Sequence, residues 1–301
     1  MRHGLARSRK PPMLSGTAAH MRSAFDACGR SRSMSYAPPA LSFAAREIVE
    51  GLKAGEFEPY FQPKVDMRTL RVSGAASLAR WNRPRIGIVR PHGFVPALEE
   101  AGEIDALARF MLAGAAAFRA EWQDAGHAGT IAVNVSLRSL ANDALVGDLV
   151  DQVSAGRFDP RGLILDVTSP VPADDSHDAV EHLTALHARG FAISIDSYGH
   201  GYLSMQQLVD VPFTQLRIAP ALMECARRHE SARTILASSI GAAHGAGIEV
   251  IAEKMETRED WELMAELGCD IAQGNYIAEP MAGREFLKWL RAQQGGRAGT
   301  P

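Results

Sequence analysis

The chain has 301 residues, 46% of them apolar, and a net charge of −3 at neutral pH. This supports one large buried core or two small ones and excludes wholesale disorder. The charge argues against a general nucleic-acid coat, and no apolar run reaches the roughly 18 residues of a membrane span.

Residues 1–45 carry Arg2, Arg7, Arg9, Lys10, Arg22, Arg30 and Arg32 against a single acid, Asp26, and show no sustained period. They read as a flexible basic tail. A targeting peptide and an overcalled start, with Met21 or Met34 as the true one, are the other readings; the missing apolar h-region argues against secretion. Residues 46–294 are the expected domain, and residues 295–301 a flexible C-terminal tail. Strand-like runs follow at Glu58–Val65, Val72–Trp81, Thr130–Val135, Leu163–Val167, Phe191–Ile195, Gln215–Ile218, Glu249–Ala252 and Asp270–Gln273. Amphipathic helical stretches separate them at Ala106–Ala125, Asp143–Ala155, Ser176–Arg189, Ser231–Gly247 and Arg258–Leu267. Glycines such as Gly126, Gly190, Gly247 and Gly268 mark helix ends. Alternating strand and helix implies a parallel α/β protein, and about eight strands fit a (β/α)8, TIM-like barrel. The first two strands are joined only by MRTLR, too short for a crossover helix, so the first strand is expected to be antiparallel. An open doubly wound sheet is the alternative, but no G-x-G-x-x-G follows the first strand. Cys28, Cys225 and Cys269 stand far apart, with no C-x-x-C. They suit inert thiols in a reducing cytoplasm rather than a disulfide framework or a zinc site.

In such a barrel the strand ends build the site. They carry Gln62, Arg80, Asn134, Asp166, Asp196, Arg217, Glu253 and Gln273. A carboxylate at the end of an apolar strand is costly unless paired or bound to a cation. Three carboxylates and an amide on one rim therefore suggest a hard-cation site. The bland readings are that Asp196 caps a turn, Asn134 satisfies loop backbone, and Arg80 and Arg217 neutralise the acids. His200 reads as an exposed loop residue or a group titrating near neutrality. DDSHD, residues 174–178, reads as a solvated helix cap or a cation site.

The ordered strings YFQPKVD, GAASLARW, HGFVPALEEAGEI, IAVNVS, LILDVTS, ISIDSYGHGYLS, LRIA, VIAEKMET and LGCDIAQGNYIAEPM resemble the EAL domain, the bacterial family of cyclic-di-GMP phosphodiesterases, over about Phe57 to Leu290. The resemblance implies a (β/α)8 barrel with an antiparallel first strand. It also implies phosphodiester cleavage, cyclic-di-GMP to pGpG, by water activated on two metal ions. The family's Glu-Ala-Leu falls on Ala76, Ser77 and Leu78, so a metal-binding Glu is missing. The family's Asp-Asp pair is Asp196–Ser197, its Glu after strand four is Asp166, and a loop-steadying Glu is Ser169. Its Lys is Arg217, and its Glu-Gly-Val-Glu is Glu253-Lys254-Met255-Glu256, with Lys254 a possible filler of the pocket. Glu253 is the vestigial general base. The remaining metal set is Asn134, Asp166, Asp196 and Glu253, expected to hold one ion weakly at best, with no cofactor required and Mg2+ or Mn2+ needed only for residual activity.

The resemblance thus implies a degenerate, non-catalytic regulator. One form is a cyclic-di-GMP receptor, in which Arg80 meets a phosphate, Gln62, Gln273 and Pro280 address guanine, and Leu78, Asn134 and Asp196 complete the ligand site. The other is a module that grips a protein partner or a second copy, favoured by the absence of an enclosed sensor or cyclase domain. The altered loop Ser197–Met205, where His200 and Leu203 replace small hydroxyl residues, points the same way. The alternative is an active metal-dependent phosphodiesterase. No membrane span and no specific nucleic acid are expected, and the expected location is cytoplasmic.

Overall fold

In the computed structural model, the described residues are 43–168, 177–198 and 211–295. The basic tail with Cys28, Ser169, residues 174–176 of the acidic run, the loop bearing His200 and Leu203, and the C-terminal tail from residue 296 lie outside them. So do the side chains of Asp196 and Ser197.

Eight strands close into a barrel: β1 (Phe57–Asp66), β2 (Val72–Arg83), β4 (Thr130–Ser136), β5 (Leu163–Thr168), β6 (Ala192–Tyr198), β7 (Gln215–Ile218), β8 (Glu249–Ala252) and β9 (Ile271–Gln273). Closure comes from β1, which pairs antiparallel with both β2 (Gln62 opposite Ala76) and β9 (Lys64 opposite Gln273). From β2 through β9 the neighbours around the wall are parallel. The expected antiparallel first strand is therefore present. Two short strands extend the sheet beyond the barrel: β3 (Gly87–Val89) on β2 and β10 (Met281–Ala282) on β1.

Helices α1 (Ala45–Lys53), α2 (Val95–Ala101), α3 (Ile104–Asp124), α4 (Leu137–Leu140), α5 (Asp143–Ser154), α6 (His177–Ala188), α7 (Pro220–Arg228), α8 (Glu230–Gly245), α9 (Arg258–Glu266) and α10 (Gly283–Gly295) accompany the strands. Local chemistry sets their ends. Asn142 accepts from the Ala144 amide at 2.9 Å to start α5. Thr257 and Asp260 form a reciprocal capping box that starts α9. Gly268 follows α9 with φ +82°, a left-handed value that costs glycine nothing.

The core lies between the barrel wall and the helices. On β1, Phe57 and Phe61 point outward; Phe61 stacks on Phe118 of α3 at 3.8 Å, and Phe57 stacks on Trp81 of β2 at 5.3 Å. Trp81 is fully buried and its indole N–H donates to Glu56 Oε2 at 2.8 Å. The period of two along a strand then turns the intervening residues, Gln62 and Lys64 of β1 and Ala76, Leu78 and Arg80 of β2, into the lumen. Cys225 and Cys269 are buried thiols, and burial pushes the Cys269 thiol up to about 12, which keeps it protonated and inert.

Candidate ligand site at the barrel mouth

The same alternation brings the strand-end polar residues into one lumen. Asn134 of β4 stands beside Asp166 of β5, and Arg217 of β7 stands beside Ile251 of β8, two residues before Glu253. Arg217 is the centre of this group. Its guanidinium makes one ion pair with Asp166 through Nη1 and another with Glu253 through Nη2. All three side chains are nearly inaccessible to water. A planar guanidinium can serve two carboxylates at once because its donors lie in a fixed fork. The two acids that the sequence marks as cation ligands are thus held by a cation that the chain itself supplies.

On the opposite wall the acid is missing. Ala76 is buried between Gln62 of β1 and Ala132 of β4, and a methyl group is all that it presents. The lumen beneath is crowded with further charge. Lys64 is 1% exposed, and its ammonium has no hydrogen-bond partner among the described residues. Burial first, and then the neighbouring Arg217, lower the Lys64 pKa to about 7, against the opposing pull of Glu253 and Glu249. Below it, Gln215 donates to Glu249 Oε2 at 2.6 Å, and burial raises the Glu249 carboxyl above its usual range.

The amides expected to address a base are brought together but engaged. Gln273 Nε2 donates to Gln62 Oε1 at 3.0 Å, while Gln62 Nε2 donates to Asn275 Oδ1 and to the Ala278 carbonyl, each at 3.1 Å. Pro280, two residues beyond Ala278, is half-buried at the same edge. Asn275 is a polar neighbour that the sequence reading missed; its place in LGCDIAQGNYIAEPM, two residues after Gln273, was the available signal. Leu78 is half-buried and Asn134 is exposed. Both line a cavity of about 90 Å3 that also touches Ser136, Thr168 and Met111; none of the charged lumen residues lines it.

Arg80 stands differently from Arg217. It is 8% exposed, donates from Nη1 to the Ala79 carbonyl at 2.8 Å, and lies 5.3 Å from the centre of the Tyr60 ring. It makes no ion pair among the described residues. Of the two arginines, then, Arg217 neutralises the acids and Arg80 does not. Lys254 is a correction to the sequence reading. Its side chain is exposed, so it does not fill the pocket, and its backbone sits at φ +50°. Gly274 follows Gln273 so closely beneath Met255 that a Cβ there would meet the Met255 carbonyl oxygen at 2.2 Å.

Of the residues that the resemblance implies as metal ligands, Asn134 is neutral and Asp166 and Glu253 share the Arg217 guanidinium, while Ala76 and Ser197 stand at two of the family's acid positions. Among the described residues no three His, Cys, Asp or Glu side chains converge as a metal set.

A closed (β/α)8 barrel with an antiparallel first strand and its polar groups at one mouth defines the class. Within it, residues 45–280 match the family model of the EAL domain, and the chain belongs to that family. It is 29% identical over 243 residues to the cyclic di-GMP phosphodiesterase RocR of Pseudomonas aeruginosa, covering 81% of this chain and 62% of RocR. The chain spans less than two thirds of the length of the first curated relatives it matches. Among solved structures, the EAL enzyme Bd1971 in its form bound to cAMP and cyclic-di-GMP superposes with a TM-score of 0.76 at 25% identity, covering 82% of this chain and 68% of that one. The MucR phosphodiesterase in complex with c-di-GMP gives a TM-score of 0.74 at 28% identity, covering 80% of this chain and 98% of that one. No described helix is long and apolar enough to cross a membrane.

Proposed function

We propose that this chain is a non-catalytic EAL-domain regulator that binds cyclic-di-GMP at the barrel mouth without metal and transmits that state to a protein partner or a second copy. The observation that carries the reading is Arg217 between Asp166 and Glu253, across the lumen from Ala76. A general base must be free to take a proton from water. Glu253 is instead ion-paired with the Arg217 guanidinium. Two ions held close together need several anionic ligands; here the surviving acids are compensated from within.

Binding has different requirements. A dianionic ligand is attracted by an arginine that has no carboxylate partner, and among the described residues Arg80 has none. Replacing acids by Ala76 and Ser197 also removes charge that would repel phosphate when no metal is present. The phosphodiesterase alternative draws on one feature: Asp166 Oδ1 is buried and accepts no hydrogen bond among the described residues, as an oxygen awaiting an ion would be. The test is direct. The protein incubated with cyclic-di-GMP and Mn2+ is expected to yield no pGpG by chromatography. Product that disappears in EDTA would establish the enzyme instead.

A further inference from the structure

We propose that Arg80 and Arg90 form a two-arginine anion site at the barrel mouth, in which Arg90 is a binding residue for phosphoryl oxygens. The proposal rests on the receptor reading and names a residue of that same site.

The register of the β2–β3 ladder carries it. Trp81 lies opposite Val89, Asn82 opposite Ile88 and Arg83 opposite Gly87. The paired register ends at Val89; carried one step further from the turn, it would bring Arg90 across from Arg80. Arg90 keeps an extended backbone, φ −85° and ψ 161°, so alternation continues through it. Trp81 and Val89 are both turned into the core. Arg80 and Arg90 therefore project from the other face of the hairpin, the face that continues into the lumen.

Two like charges facing one another oppose folding, and a buried guanidinium without a counter-ion is costlier still. Arg80 is in that position. Glu58 stands opposite it on β1, yet the two form no ion pair among the described residues. Among the described residues Arg80 donates to the Ala79 carbonyl and lies over the Tyr60 ring. Burial first, and then the charge of Arg90, hold its pKa below the ordinary arginine value. Arg83, the next base on the hairpin, differs: Glu47 and Glu56 both pair with it. Among the described residues, what the pair at residues 80 and 90 lacks is an anion. Two guanidinium forks facing one space match the non-bridging oxygens of a phosphodiester. They supply positive charge where the family would otherwise rely on metal.

The experiment is a calorimetric titration in EDTA of cyclic-di-GMP, and separately of inorganic pyrophosphate, into the full chain and into Arg90→Ala. Arg90 is exposed, so the variant retains the fold. Arg90→Ala is expected to weaken cyclic-di-GMP binding about 10- to 100-fold, as loss of a charge-assisted hydrogen bond does, with Arg90→Lys falling between. Equal cyclic-di-GMP affinity in wild type and Arg90→Ala would overturn the arginine pair and leave the receptor reading standing. Pyrophosphate binding that Arg90→Ala abolishes, with no cyclic-di-GMP binding by wild type, would support the pair and overturn the receptor reading. Binding of neither probe to wild type would overturn both.

Discussion

Removing the Arg217 guanidinium would take away the cation that pairs with the two buried carboxylates of Asp166 and Glu253. Breaking a buried pair in this way costs about 3–5 kcal/mol. Arg217→Ala is accordingly expected to lower the urea midpoint by an amount equivalent to a loss in that range, and an unchanged midpoint would show that the ion pairs are not structural. Lys64 makes a prediction of opposite character. Its folded-state pKa is about 7, below the ordinary 10.5. Between these values the unfolded chain binds more protons than the native one, so stability rises with pH through that window. Below about 7 both states are protonated and the cost of the buried ammonium is complete. Lys64→Met, which keeps the volume and removes the charge, should be more stable than wild type at neutral pH and should lose the rise between about 7 and 10.5. Denaturation curves of both proteins across that range check it. Lys254 adds a smaller strain. It holds a left-handed backbone where the family motif has glycine, and that conformation is costly for a residue with a Cβ.

At the scale of elements, β2 carries Ala76 where the family has a metal-binding Glu. Its lumen face reads Ala76, Leu78, Arg80, and the missing acid at Ala76 is matched by Arg217 on the far wall. Restoring Ala76→Glu and Ser197→Asp therefore adds ligands while Arg217 still competes for Asp166 and Glu253. The triple variant that also carries Arg217→Lys should bind Mn2+ saturably in a calorimetric titration where wild type does not. No gain would mean that the groups orienting the ligands have been lost as well.

Much of this was legible in sequence. β4 and β5 announce themselves as runs of β-branched and small residues broken by Asn134 and Asp166, because strands covered on both sides are apolar nearly throughout. The link MRTLR dictated the antiparallel first strand. The short pieces were not legible. β3 and β10 have too few residues to show a period, and α7 follows β7 after a single residue. The site was half legible for a related reason. Strand alternation puts Gln62 and Lys64 on one face, but only closure of β1 against both β2 and β9 buries Lys64. Asp166, Arg217 and Glu253 were each visible as polar residues at strand ends. Their union depends on β5, β7 and β8 curving around one lumen, which no local pattern encodes. Arg80 and Arg90 are ten residues apart in sequence; the hairpin register that, carried one step further, would bring them across from one another was not foreseen.

At the scale of the molecule, the barrel keeps the family's wall and mouth while its charges are balanced from within. Arg217 answers two acids, Glu47 and Glu56 answer Arg83, and Arg80 is left facing the mouth. The proposed function is that of a barrel that holds an anion rather than one that activates water. The measurement that tests this most directly is calorimetric titration of cyclic-di-GMP into the purified protein, in EDTA and again in Mg2+. The account predicts the same saturable heat in both buffers. Sustained heat that appears only with Mg2+ would mean turnover and would contradict it.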